Sequence, residues 1–214
     1  MLKHIVCWFA KSLGVFLLNI PVILLGLPVV ACALPFRTLY PATATPFTQY
    51  PAYGSWYLVR LPSWAKWWDN PYDGALGDTR GWWANHCAEQ SGKTVDAFGS
   101  MWRWMALRNP ANYFSRQVVG CDVADCVIEV LAGQHVVEAD QGLPGWQFLL
   151  ATNSKGKTYY RLFMEFPYPF APQHLFMLDM GWKIKLSHNG TPKTAAPNDR
   201  YKGDVFTLSL WKGM

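Results

Sequence analysis

Charge is scarce in this chain. Asp, Glu, Lys and Arg make up only 15% of its 214 residues, and positions 12–36 carry no charge at all. Proteins that bind nucleic acid draw much of their affinity from many phosphate-neutralising Lys and Arg side chains, so a nucleic-acid partner is not expected despite a formal net charge of +5. Catalytic vocabulary is just as thin. There is no phosphate loop, dinucleotide fingerprint or nucleophile elbow, and no two histidines stand at a useful helical spacing. No cofactor is expected.

Cysteine is sparse too. Cys7 and Cys32 belong to or border the uncharged run, Cys87 is isolated, and Cys121 and Cys126 are separated by DVAD. Zinc sites use closer pairs and a second pair of ligands, which does not stand out here. Free buried thiols are the leading expectation for Cys121 and Cys126, with a local disulfide or metal ligation as alternatives.

What the chain has instead is apolar and aromatic surface. Twelve Trp, twelve Phe and ten Tyr suit a domain beside a membrane or inside an assembly, where an apolar ring with a polar handle is useful. The segment between Lys11 and Arg37 is long enough to cross a bilayer, since about 20 apolar residues span the ~30 Å hydrocarbon core. A retained anchor is therefore expected over a cleaved signal or a soluble core helix. Pro21 and Pro28 each lack an amide hydrogen and clash with the carbonyl four residues back, so a kinked span is predicted, with a hairpin as the alternative. Lys3 and Lys11 precede the segment and only Arg37 follows closely, which favours a cytoplasmic N-terminus and an exported main domain.

The expected organisation is α+β: a membrane anchor over 1–37, a Pro-rich connector over 38–63, and an aromatic-rich domain over 64–214. In the connector, prolines at 41, 46, 51 and 62 favour extended backbone, with one short strand between Ser55 and Pro62. Trp64, Trp67 and Trp68 then fall on one helical face behind a capping Ser63, suited either to a membrane surface or to a small core. The loop Asp69, Asp73, Gly74, Asp78 is no EF-hand, because Pro71 and Arg80 occupy ligand positions. Those carboxylates are expected in turns, and no metal is expected. Trp82 and Trp83 join the candidate interaction or membrane surface. His86, with Asp78 and Arg108, is the nearest approach to a catalytic set, although a structural His is the default.

A second helical stripe, Phe98, Met101, Trp102, Met105 and Ala106, should end near Arg108, and Ala111, Phe114 and Val118 should face one side of a following helix. Arg103, Arg108 and Arg116 either bind phosphate or acidic groups or tie these helices together. The combination WWDNPYDG, GDTRGWW and WRWMALRNPANY is similar to an uncharacterised family of small membrane-associated proteins of tailed bacteriophages. That resemblance covers about residues 55–120, implies phage origin and action in the infected cell or virion, and supplies no catalytic template.

Beyond residue 120 the pattern becomes strand-like. Runs at 126–133, 146–167, 174–187 and 204–212, with a polar turn at Asn153–Gly156, predict an antiparallel meander of four or five strands followed to its end by period-two alternation. Ser187–Lys202 should be a surface loop. The expected function is a membrane-anchored interaction protein acting on a host or viral protein complex at the bacterial inner membrane, with the bilayer as its other partner. A membrane-bound enzyme and a virion structural or pore component are the alternatives.

Overall fold

The computed structural model describes residues 1–41, 57–70, 98–134, 144–184, 186 and 200–213. Its first element is one continuous helix, α1 (Leu2–Ala33), which contains both prolines and ends in a 3-10 turn at Leu34–Phe36. The hairpin alternative is not adopted. Helical neighbours on either side keep each proline in place although each removes one internal hydrogen bond. Most of the apolar stretch is exposed rather than enclosed, which is not the burial of a soluble core helix.

The chain packs as two compact units: Met1–Leu18 with Val119–Met214, and Asn19–Val118. The long helix thus contributes to both, instead of standing apart as the anchor over 1–37.

In the first unit, a five-stranded antiparallel sheet has the order β4-β5-β6-β7-β9, from β4 (Cys126–Gly133), β5 (Gly145–Asn153), β6 (Thr158–Tyr168), β7 (Ala171–Trp182) and β9 (Asp204–Gly213). A two-residue pair, β3 (Cys121–Asp122) with β8 (Tyr201–Lys202), lies outside that ladder, so Tyr201 and Lys202 are strand where a loop was expected. The predicted turn joins β5 to β6: Asn153 accepts the amides of Lys155 and Lys157 at 3.1 and 2.8 Å, and Gly156 takes φ +75°. Side-chain acceptance of this kind is why Asn begins such turns.

The two faces of this sheet differ. On one face, Phe148 and Tyr160 stack at 6.0 Å and receive the first half of α1. On the other, Arg161 forks onto Asp179 (Nε to Oδ1 2.8 Å, a second nitrogen to Oδ2 3.0 Å) and donates to the Ile184 carbonyl at 2.6 Å. The third bond matters for the chain beyond β7. Trp182, Ile184 and Leu186 are buried with the predicted period of two, but the ladder stops at Trp182, and Ile184 is held by Arg161 rather than by a neighbouring strand. Period-two burial marks which side chains enter the core; it does not require a partner strand.

The second unit holds the rest. β1 (Thr38–Pro41) pairs with β2 (Tyr57–Arg60), a 3-10 turn covers Ser63–Trp68, and α2 (Phe98–Trp102) continues as a π turn over Arg103–Arg108. Pro62, not Ser63, occupies the cap position of the tryptophan turn, and no side chain caps it. The π turn corrects the predicted stripe. Its Asn109 amide donates to the Trp104 carbonyl at 2.9 Å, five residues back, so the winding loosens, Trp104 becomes buried beside Met101, Met105 and Ala106, and Phe98 is left exposed. A second π turn, Phe114–Val118, similarly buries Phe114 and exposes Val118, following Ala111 at φ +49°.

Gly181, opposite Arg161 in the ladder, tests the sheet. Its φ is +111°, and a Cβ there would lie 2.1 Å from the Tyr160 carbonyl oxygen. Gly181→Ala is expected to lower unfolding stability by about 2 kcal/mol or more, read from denaturant midpoints.

Candidate functional site

Two surfaces carry the groups that bear on function. In the first unit, α1 meets the sheet through residues recurring every three or four positions: His4, Trp8, Lys11 and Val15. Trp8 donates its indole N–H to the Met180 carbonyl at 3.1 Å and meets Phe148 edge-on at 5.9 Å. Lys11 donates to the Thr158 carbonyl at 2.8 Å and to its hydroxyl, 5.6 Å from the centre of the Tyr160 ring. The amphipathicity of this helix is hidden in the sequence, because its protein-facing stripe is made by an indole, one lysine and a histidine among apolar residues.

The outward side is apolar. Ile5, Phe9, Leu13, Phe16 and Leu17 are exposed, and Phe16 lies 5.0 Å from Phe206 of β9. Phe206 shares a cross-strand row with Met180, Leu162 and Phe148, so it belongs to the helix-bearing face. Phe206, Leu208 and Leu210 show the alternation predicted for β9 yet remain exposed. At the β6–β7 hairpin, Phe170 is 75% exposed and clusters with Tyr168, Trp211 and His174.

In the second unit the three tryptophans of the 3-10 turn divide. Trp68 is 9% exposed and donates to the Val22 carbonyl at 2.7 Å, while Trp64 and Trp67 remain 58% and 42% exposed. Gly26 permits that approach, since a Cβ there would sit 2.6 Å from the Trp68 ring. Trp67 also packs 5.1 Å from Phe114, and Trp102 donates to the Leu27 carbonyl at 2.9 Å. The turn is closed by Asp69, whose carboxylate receives Arg60 at 3.0 Å and the Asn70 amide at 3.0 Å, and whose carbonyl accepts the Tyr113 amide at 2.9 Å.

A family model for a family of unknown function, DUF7338, matches residues 1–212. The chain belongs to that family. Comparison with curated proteins and with solved structures gives no match. The DUF7338 match runs through both the apolar helix and the sheet, so the two are parts of one family unit, and its description assigns no activity.

The remaining sequence-derived candidates fare unequally. Arg103 and Arg108 are exposed and Arg116 is half-buried. His86, Asp78, Trp82 and Trp83 lie outside the described residues, and with them the suggested meeting of His86, Asp78 and Arg108. Among the described residues no group of three or more His, Cys, Asp or Glu stands close enough to hold a metal. Cys121 and Cys126 are free thiols 3.5 Å apart. Burial pushes both upward in pKa and pushes the adjacent Tyr159 up to about 12. At neutral pH these thiols are protonated, which makes them poor nucleophiles. Sequence spacing missed Trp8 and Lys11 as polar ties, because a lone Trp and Lys near an apolar run look like flanking residues.

Burial raises the pKa of Asp69, outweighing the opposing Arg60 charge and the bonds from Leu61 and Asn70. Between its ordinary and raised values the folded state holds more proton than the unfolded, so this group makes stability fall as pH rises through that window. The Asp69→Asn variant should lack this component, measured as the difference between the two stability-versus-pH curves from about pH 4 to 7.

Proposed function

We propose that this protein is a phage-encoded, membrane-attached interaction protein that binds a host or viral protein complex through aromatic groups of the second unit. The observation that carries the reading is the division of the Ser63–Trp68 turn. Trp68 fastens the turn inward, while Trp64 remains exposed with no packing role needed to explain it. A rigidly held, exposed Trp is the kind of anchor that dominates protein interfaces, because it brings large apolar area at little entropic cost. Arg103, also exposed, supplies a cation of the type enriched at such surfaces.

Attachment comes from α1, a helix long and apolar enough to cross a bilayer. The resemblance carried by WWDNPYDG, GDTRGWW and WRWMALRNPANY supports a tailed-phage origin, and with it the inner membrane of the infected bacterium. A crossing helix would set the main domain in the periplasm, as the lysines before the apolar run favour; attachment from one side would leave it in the cytoplasm.

Affinity capture from crosslinked infected cells tests this reading. The full chain should return one reproducible protein partner, and Trp64→Ser should reduce its recovery about tenfold, the effect of losing ~1.4 kcal/mol. Capture of the same proteins at the same yield by the variant would remove Trp64 from the interface. Absence of any reproducible protein partner would end the interaction reading.

A further inference from the structure

We propose that the first half of α1 lies along the membrane surface, with its outward face sunk into one leaflet, and that the helix does not cross the bilayer. The proposal rests on the membrane attachment stated under the proposed function and concerns how that attachment is made.

Length decides against a crossing. Residues 4, 8, 11 and 15 are held by the five-stranded sheet, through the Trp8–Met180 and Lys11–Thr158 bonds. That sheet is open at both β4 and β9, and its β5–β6 turn carries Lys155 and Lys157. Open strand edges and charged turns are not tolerated in hydrocarbon, where no water satisfies their backbone groups. The helical stretch bound to the sheet therefore cannot be surrounded by lipid tails. What remains, residues 19–33, is roughly 22 Å long at ~1.5 Å per residue, short of the ~30 Å hydrocarbon core.

The same geometry supplies a surface for one leaflet. Ile5, Phe9, Leu13 and Phe16 look away from the sheet, and Phe206 and Leu208 of β9 flank them on the same side. An in-plane helix sinks such a face about 5–10 Å, to the boundary of headgroups and acyl chains. Charge selects lipid as the occupant. Leu2–Ala33 contains no acidic side chain, Lys3 is exposed at its start, and the chain is formally +5, all complementary to an anionic leaflet. Trp211 and Tyr168 at the β6–β7 hairpin add the amphipathic rings that settle at headgroup depth.

Val6, Leu13 and Leu17 lie on the exposed side of α1, so a probe there disturbs no core contact. The full-length protein is prepared with an environment-sensitive fluorescent amino acid singly at position 6, 13 or 17. It is mixed with phosphatidylethanolamine–phosphatidylglycerol vesicles whose acyl chains carry bromine at graded depths. The expected result is co-flotation with vesicles and one shared, shallow quenching depth at all three positions. A depth that changes steadily, by about 16 Å between positions 6 and 17, marks a crossing helix and overturns the in-plane proposal while leaving membrane attachment intact. Failure of the unmodified chain to float overturns attachment and the in-plane placement together. Flotation with all three probes unquenched, whether they are shielded by a second copy or by another protein, overturns the leaflet as occupant. Native circular dichroism of each labelled protein in vesicles confirms that the fold is retained.

Discussion

A helix with the composition of a membrane span is fastened by polar bonds to an open antiparallel sheet, and that attachment constrains everything else in the first unit. Trp8 and Lys11 each surrender hydration to reach a backbone carbonyl, on Met180 and Thr158. Buried donors are worth keeping only when matched, and each of these is. Once they are matched, the helix cannot rotate its apolar side toward the sheet without leaving an indole N–H and an ammonium unpaired. The exposed row from Ile5 to Leu17 is therefore a consequence of where the polar ties are, and not a defect of packing.

The abundance of tryptophan has a common explanation across both units. Trp8, Trp68, Trp102 and Trp182 each donate the indole N–H to a backbone carbonyl, on Met180, Val22, Leu27 and Val119. Two of these carbonyls lie in the apolar half of α1, where each peptide oxygen has a spare lone pair beyond its helical bond. An indole can fill apolar space and satisfy one donor in a single side chain. In a chain with so few charges, it does the fastening that ion pairs do elsewhere. The buried exception is the Arg161–Asp179 fork, and it too ends on a carbonyl, that of Ile184.

Element types were legible in the residues where the physical cause is local. The uncharged run, the Asn153 turn, the meander and the buried positions of Ile184 and Leu186 all follow from composition or period. Features that depend on partners distant in sequence were not legible. The π turn that buries Trp104 shifts a helical phase by one residue, and no propensity encodes it. Phe206, Leu208 and Leu210 alternate as a covered strand would, yet α1 covers only the strands beside them. The division of Trp64, Trp67 and Trp68 is set by Gly26 and the Val22 carbonyl, some forty residues earlier. For the candidate site, the exposed Trp64 and Arg103 agree with a contact role, whereas the suggested set of His86, Asp78 and Arg108 has no described geometry.

The ties between α1 and the sheet also impose a schedule on synthesis. Lys11 and Thr158 are 147 positions apart, and Trp8 and Met180 are 172 apart. At about 5–20 residues per second, the sheet strands that receive the helix leave the ribosome roughly 10–30 s after it does. For that interval the most apolar segment of the chain exists without its protein partner. A nascent helix in that position needs a shelter that is present before the rest of the protein, and a bilayer beside the ribosome is one that requires no further folding to be ready.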